Sequence, residues 1–183
     1  MQIRIRADEM IIAISGLSGS GKNAVGELVA KKLGLSVVSF SFKSEAKETG
    51  VSLMEFQKKA NADKKIDLDF DKRIADVASK GNCVVTTWLG PWMVKNADLR
   101  VWLSASPKIR SERVSKRDKM TVPEALSHIT ARDNDNRARY KKLYNIDIDN
   151  HEEFDICLKS EKLTQDQLSN VIMCFINEQK KKA

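Results

Sequence analysis

Short apolar runs alternate along the chain with longer stretches in which apolar residues recur every three or four positions. The short runs have the length of buried β-strands and cover residues 11–15, 36–40, 83–87, 99–103 and 154–158. Strands that alternate with helices imply a parallel sheet covered by helices on both faces. The pattern therefore predicts a three-layer α/β fold with a five-stranded parallel sheet. In such a sheet, ligands bind at the carboxyl ends of the strands.

Capping residues mark where the helices of this fold begin and end. The first helical pattern covers residues 24–33 and is followed by Gly34, a residue that commonly terminates helices. Ser52 with Glu55 has the spacing of a capping box, which predicts the start of a short helix. Further helices are predicted at residues 67–80, 106–117 and 121–140, and from Thr164 onward.

A glycine-rich loop follows the first predicted strand and precedes the first predicted helix. The segment consists of Gly16, Leu17, Ser18, Gly19, Ser20, Gly21, Lys22 and Asn23, followed by Ala24. Gly16, Gly21 and Lys22 match the phosphate-loop pattern GxxxxGK[ST]. In such a loop the backbone N–H groups point inward at phosphates, and the following helix adds its positive end. We therefore predict that residues 16–24 bind a nucleotide, with Lys22 as a catalytic cation.

The last position of the loop departs from the pattern. Asn23 stands where a serine or threonine hydroxyl normally coordinates Mg²⁺. An amide oxygen can also coordinate a hard cation, but it is bulkier and aimed differently. Nucleotide binding through the backbone amides is expected to survive this change. Asn23 is the candidate Mg²⁺ ligand of the sequence.

Composition favours an anionic partner and a reducing compartment. The 183 residues carry a formal net charge of +7, which suits nucleic acid or a phosphorylated small molecule. Aromatic residues make up 6% and no nucleic-acid-binding motif is present, so nucleic acid is the less favoured partner. The three cysteines lack a paired spacing, which fits a cytoplasmic protein with Cys83 and Cys157 as buried thiols. No apolar run has the length of a membrane span, and residues 1–9 are either an extra strand or a leader.

Several segments beyond the loop resemble the nucleoside monophosphate kinases, and most closely the archaeal-type cytidylate kinases. The resemblance covers nearly all of residues 11–176 and rests on AKETGVSLMEFQKKANADKKIDLDFDKRI, LGPWM, ADLRVWL, RSERVSKRD and EALSHITARDNDNRARYKKLYNIDIDN. It implies a phosphate-loop kinase fold with strand order 2-3-1-4-5. It also implies a single domain over residues 10–180, with acceptor-binding helices at about 41–70 and a helical lid at about 118–140.

The resemblance implies transfer of the terminal phosphoryl group of ATP to CMP or dCMP, with Mg²⁺ as cofactor, by a monomer. This reaction spreads negative charge over several oxygens and requires precisely placed positive charge. Arg113 and Arg117 lie on one helix face, and Arg132 and Arg139 lie two turns apart on the predicted lid helix. In the family these regions place arginines against the adenine and the phosphates. All four are therefore candidate catalytic residues, although each could instead form a local ion pair on a solvated helix.

The acceptor side departs from the family pattern at two basic positions. Lys43 stands where the family usually has an arginine, and lysine keeps the charge without the bidentate geometry. Trp88 stands where the family's Glu-Gly-Arg-Leu run has its arginine, and the acidic residue of that run is also missing. Lys43 and Trp88, with Arg132 and Arg139, are the candidate substrate-binding residues. The changes leave open a CMP kinase, a kinase for another small acceptor, and a nucleotide-binding regulator with little transfer activity.

Overall fold

The fold is built around five strands in a computed structural model that describes residues 10–181. The strands are β1 (Ile11–Ser15), β2 (Ser36–Val38), β3 (Cys83–Val85), β4 (Leu99–Ser104) and β5 (Ile156–Lys159). All neighbouring pairs are parallel, and the order is β2-β3-β1-β4-β5. This arrangement confirms the predicted α/β fold class and strand order.

Eight helices cover the two faces and the carboxyl edge of the sheet in the described part of the chain. They are α1 (Lys22–Leu33), α2 (Phe42–Glu48), α3 (Leu53–Ala62), α4 (Lys64–Ala78), α5 (Gly90–Met93), α6 (Pro107–Asp118), α7 (Val122–Tyr144) and α8 (Gln165–Lys180). The predicted acceptor region contains α2, α3 and the start of α4, and the predicted lid region contains most of α7. None of these helices is long and apolar enough to cross a membrane.

Two apolar layers hold the helices on the sheet. β1 is buried along its whole length because it lies at the centre of the sheet. Ile12 packs on one face with Val25 of α1 and Ile172 of α8. Ile11 packs on the other face with Ile74 of α4. The start of α1, which follows the phosphate loop, is therefore fixed against the sheet.

The second strand is shorter than predicted, and a helix begins four residues after its last residue. β2 ends at Val38 instead of residue 40. Ser41 caps α2 by accepting a hydrogen bond from the backbone N–H of Ser44, and the two residues form a complete capping box. The sequence pattern misses this helix, since the glutamate or glutamine typical of the motif is replaced by a serine. α4 likewise begins before residue 67, because Asp63 caps it.

One of the two cysteines that were expected to be buried is exposed at the edge of the sheet. Cys83 on β3 is buried, as expected, but Cys157 on β5 is exposed. The expectation for Cys157 was wrong because β5 is an edge strand whose alternate side chains face away from the core. The predicted strand or leader at residues 1–9 lies outside the described residues.

Candidate functional site

The phosphate loop turns sharply between β1 and α1, and glycine is required at two of its positions. Gly16 has a φ of 152°, and a Cβ atom there would lie 2.3 Å from the carbonyl oxygen of Leu103. Gly21 caps α1 in the left-handed conformation, with a φ of 96°. Because glycine has no side chain, it cannot bond the first N–H groups of the helix. These donors and the positive end of the helix remain available to an anion.

A cavity of about 690 Å³ lies beside this loop and is called the phosphate cavity here. Its loop wall consists of Ser18, Gly19, Gly21, Lys22, Asn23 and Ala24. Its opposite wall includes Thr86, Thr87 and Trp88, which follow the end of β3. The predicted residues Lys43, Arg113, Arg117 and Arg132 also line it. The structure thus brings the phosphate loop, the segment after β3, and residues of α2, α6 and α7 together at the carboxyl edge of the sheet.

Trp88 holds two cations of the phosphate cavity over its indole ring. Lys22 Nζ lies 5.5 Å from the ring centroid, and the guanidinium carbon of Arg132 lies 5.8 Å from the same centroid. Neither cation has an ion-pair partner among the described residues, and both lie within the distance at which a ring attracts a cation. The backbone carbonyl of Trp88 accepts a hydrogen bond of 2.6 Å from Ser15 Oγ, which fixes this segment to β1.

The surroundings of Lys22 make its charge unfavourable in the free protein. Burial of the ammonium group, together with the neighbouring Arg132 and Arg117, lowers its pKa to about 7. Asp133 acts in the opposite direction but is outweighed. An anion that enters the cavity would stabilise the charged form of such a lysine. A pKa lowered by burial and by neighbouring cations is typical of a lysine in a functional site rather than of a surface lysine.

Arg113 holds the phosphate loop against the segment that follows β5. Its guanidinium donates hydrogen bonds to the carbonyl oxygens of Gly19 and Ser20, at 3.3 and 3.2 Å. The same nitrogen lies 2.9 Å from Ser160 Oγ, and the second nitrogen bonds to the Ser160 carbonyl. Arg113 therefore shapes the loop in addition to lining the cavity. The contacts with adenine and phosphates that the family resemblance implies for this region stay predictions.

Lys43 and Arg117 share one carboxylate at the mouth of the phosphate cavity. Lys43 Nζ lies 2.7 Å from Asp118 Oδ1, and Arg117 Nη2 lies 2.6 Å from Asp118 Oδ2. The hydrogen bond from Arg117 and that from Lys43 together hold the pKa of Asp118 far below its usual range. Asp118 thus joins α2 on the acceptor side to the end of α6. Lys43 reaches a protein carboxylate here, and its predicted contact with the acceptor stays untested.

Arg110, which was not predicted from the sequence, connects the phosphate loop to α7. Its Nη1 atom donates to Asp133 Oδ2 at 2.7 Å and to the Ser18 carbonyl oxygen at 3.0 Å. The two side chains of this ion pair are 6% and 3% exposed. Arg110 therefore ties the phosphate loop to α7. Its spacing from Arg113 and Arg117 places all three on one face of α6, which is the signal that could have identified it.

A second, smaller cavity of about 30 Å³ lies between α7 and helices α2 to α4 and is called the acceptor cavity here. Arg139 lines it but, unlike Arg132, does not line the phosphate cavity. The Arg139 guanidinium lies 3.2 Å from Asp67, 3.1 Å from Asp135 and 4.8 Å from the ring of Phe42. Arg132 thus lines both cavities, whereas Arg139 lines only the acceptor cavity and is already paired with protein carboxylates.

Three polar residues of the acceptor cavity were not predicted from the sequence. Asp71, Gln57 and Asn136 come from α4, α3 and α7, and no local motif connects them. Burial raises the pKa of Asp71 to about 6, although a hydrogen bond of 2.6 Å from the Tyr144 hydroxyl opposes the shift. Gln57 Oε1 is buried without a hydrogen-bond partner in the described part of the chain. These groups offer both donors and acceptors to a polar ligand.

Neutral oxygen atoms are the groups that the phosphate cavity offers to a metal ion. Asn23 is exposed and lines the cavity near the start of α1. Thr86 and Thr87 also line it, and their buried Oγ1 atoms have no hydrogen-bond partner within residues 10–181. Amide and hydroxyl oxygens are acceptable ligands for Mg²⁺ when the nucleotide supplies further oxygens. The residues present therefore fit a metal ion that is bound mainly by phosphate.

Comparisons with known proteins agree with this geometry. A family model described as the cytidylate kinase-like family matches residues 11–162. The cytidylate kinase of Pyrococcus horikoshii is 39% identical over 172 residues, which cover 93% of this chain and 90% of the relative. The cytidylate kinase of Methanocaldococcus jannaschii is 36% identical over 178 residues, which cover 94% of this chain and 100% of the relative.

Solved structures of other kinases share the fold at low sequence identity. Shikimate kinase from Acinetobacter baumannii in complex with shikimate has a TM-score of 0.61 at 17% identity and covers 93% of this chain and 94% of its own. Deoxyadenosine kinase from M. mycoides with bound dATP has a TM-score of 0.56 at 17% identity and covers 92% of this chain and 100% of its own. These likenesses show a phosphate-loop kinase fold. With the family match over most of its length, the chain belongs to the cytidylate kinase-like family and is a phosphotransferase.

Proposed function

We propose that this phosphotransferase moves the terminal phosphoryl group of ATP to CMP or dCMP. The observation that carries the proposal is the junction of the two cavities, because Trp88 and Arg132 line both of them. Phosphoryl transfer requires the donor and the acceptor to meet in line at the transferred group. The cytidylate kinases of Pyrococcus horikoshii and Methanocaldococcus jannaschii support a cytidine nucleotide as the acceptor.

The donor side would bind ATP through the loop amides, Lys22 and the arginines of the phosphate cavity. Lys22 and Arg132 stand where the two cavities meet, so their charges would face the phosphoryl group in transit. Such charge stabilises the transition state more than the substrate, because negative charge develops on the equatorial oxygens. Mg²⁺ bound with ATP would neutralise part of the charge of the phosphates. Asn23 and Thr86 are the residues that would face it.

The acceptor side carries groups that complement cytosine. Cytosine presents an amino group as donor and the adjacent ring nitrogen and carbonyl oxygen as acceptors. The Asp71 carboxylate would accept from the amino group, and the Arg139 guanidinium would donate to the acceptors. Uracil has a carbonyl oxygen in place of the amino group, so it would meet Asp71 with repulsion. The acceptor cavity of about 30 Å³ holds little more than a water molecule, so α2 to α4 must move outward for the base to enter.

A second candidate function is supported by the altered acceptor side. Lys43 is bonded to Asp118, and Trp88 stands in place of an arginine, so two basic contacts to an acceptor phosphate are missing. A protein with this arrangement could bind ATP and thereby alter its binding to a partner protein, while it transfers the phosphoryl group only slowly. We rank this nucleotide-binding regulator second, because Arg132 and Lys22 still converge on the junction of the cavities.

ATP binding is expected to take up protons near neutral pH. The pKa of Lys22 is about 7 in the free protein, and entering phosphates raise it, so the bound protein holds more protons just above that pH. Calorimetry in buffers of different ionisation enthalpy should show uptake at about pH 8 that fades towards about pH 6. Lys22→Ala should lose this part of the uptake. Equal uptake in both proteins would show that another group titrates.

An acceptor screen tests the proposed function. Each ribonucleoside and deoxyribonucleoside monophosphate is incubated with ATP and Mg²⁺, and ADP production is measured. CMP and dCMP are expected to give the highest kcat/KM values. In Asp71→Asn the advantage of CMP over UMP should shrink by about tenfold or more, since one hydrogen bond to a charged group is lost. ATP binding without any accepted substrate would favour the regulator instead.

A further inference from the structure

The wall of the phosphate cavity is basic and, in the part of the chain that the structure describes, contains no acidic side chain. Its cations are Lys22, Lys43, Arg113, Lys116, Arg117 and Arg132, and the remaining wall residues are neutral. The nearest carboxylates point to other partners. Asp118 accepts hydrogen bonds from Lys43 and Arg117, and Asp133 accepts one from Arg110. An anion that enters the cavity is therefore attracted by these cations and meets little repulsion from carboxylates.

The positions that usually anchor Mg²⁺ are also uncharged in this protein. Phosphate-loop enzymes commonly hold the metal with a loop hydroxyl and an acidic residue of a neighbouring strand. Here the loop offers Asn23, and the end of β3 is followed by Thr86 and Thr87, which are 2% and 3% exposed. A threonine hydroxyl can donate a hydrogen bond to a phosphate oxygen, whereas a carboxylate cannot. Among the described residues there is no group of three His, Cys, Asp or Glu that could hold a metal ion.

We propose that this cavity binds the triphosphate through its own cations and hydroxyls, so that metal-free ATP binds at least as tightly as its Mg²⁺ complex. The inference rests on the proposed use of ATP and concerns binding rather than transfer. Because Mg²⁺ is divalent, its complex brings less negative charge to the same cations. Mg²⁺ then arrives with the nucleotide, and the protein supplies no anionic ligand to retain it.

The direct test compares ATP binding in excess EDTA with binding in excess Mg²⁺, by titration calorimetry without an acceptor. The dissociation constant in EDTA should equal or fall below that in Mg²⁺. Titration of Mg²⁺ alone into the nucleotide-free protein should show no binding. A dissociation constant at least tenfold higher in EDTA would overturn the inference, and so would tight binding of Mg²⁺ alone.

One substitution should create the metal dependence that the native cavity lacks. Asn23→Asp places a carboxylate at an exposed position of the wall, so folding should be retained. ATP binding in EDTA should weaken by about tenfold, and Mg²⁺ should restore most of the loss. Asn177→Asp adds the same charge at an exposed position of α8 outside both cavities and should change neither value. Unchanged affinity of Asn23→Asp in EDTA would also contradict the inference.

The outcomes separate this inference from the proposed function. If wild-type protein phosphorylates an acceptor but requires Mg²⁺ for ATP binding, the inference fails and the kinase function stands. If ATP binds in neither buffer, the proposed use of ATP fails and the inference falls with it. Tight binding in EDTA together with transfer that needs added Mg²⁺ is the result expected from this structure.

Discussion

Lys22→Ala is expected to lower kcat by about 10²–10³-fold while leaving the melting temperature of the ligand-free protein close to that of wild type. The ammonium group lies among Arg132 and Arg117, and its pKa is lowered to about 7, so the fold gains little from its charge. We propose that its favourable partner is the negative charge that grows on the transferred phosphoryl group. Steady-state kinetics and thermal unfolding of the same preparation measure the two effects.

The matched control for this variant is Lys31→Ala on the same helix. Lys31 lies in the last turn of α1, is exposed and lines neither cavity. Its replacement should leave kcat and melting temperature near the wild-type values. Equal activity of Lys22→Ala and wild type would remove Lys22 from the catalytic group. A large fall in the melting temperature of Lys22→Ala would instead assign the residue a structural role.

Arg110→Met is expected to lower the free energy of unfolding by about 3–5 kcal/mol, because it leaves the Asp133 carboxylate buried without its cation. For a domain of this size the loss corresponds to a fall in melting temperature of roughly 6–20 °C. Arg110 also bonds to the Ser18 carbonyl oxygen, so the phosphate loop should loosen and ATP affinity should fall as well. Chemical unfolding monitored by circular dichroism measures the stability change.

Two further variants separate the buried ion pair from a general effect of charge. Arg137→Met breaks an exposed ion pair with Asp149 on the same helix as Asp133, and should cost about 1 kcal/mol or less. The double variant Arg110→Met with Asp133→Leu removes both buried charges and should recover most of the lost stability. If Arg110→Met and Arg137→Met have equal effects, burial of the Arg110 pair has no energetic importance.

The features that sequence reasoning predicted are those with a local signal. The phosphate loop is a continuous segment between a strand and a helix, so Gly16, Gly21 and Lys22 identify it without knowledge of the fold. The alternation of strands and helices predicted that the strands are parallel. The order of the strands followed from the resemblance to a kinase family. Gly34 and the capping residues Thr121 and Thr164 gave correct helix ends for the same reason.

The features that sequence reasoning missed depend on contacts between distant segments. Arg110 bonds to Ser18, which is 92 residues away, and Lys43 bonds to Asp118, which is 75 residues away. No periodicity along the chain encodes such a pair, because each partner is placed by a different element of the fold. The position of Asp71 in the lining of the acceptor cavity is not evident from the sequence either, since a carboxylate on an amphipathic helix usually faces solvent.

We propose that phosphoryl transfer from ATP to a cytidine nucleotide takes place at the junction of the two cavities, beside Trp88 and Arg132. Phosphorus NMR of a reaction that contains ATP, Mg²⁺, CMP and the protein tests it most directly, because it identifies both products. We expect CDP and ADP to appear in equal amounts, and Lys22→Ala to reduce the rate of both. Release of ADP with inorganic phosphate, or no change in the ATP resonances at protein concentrations that bind ATP, would contradict the claim.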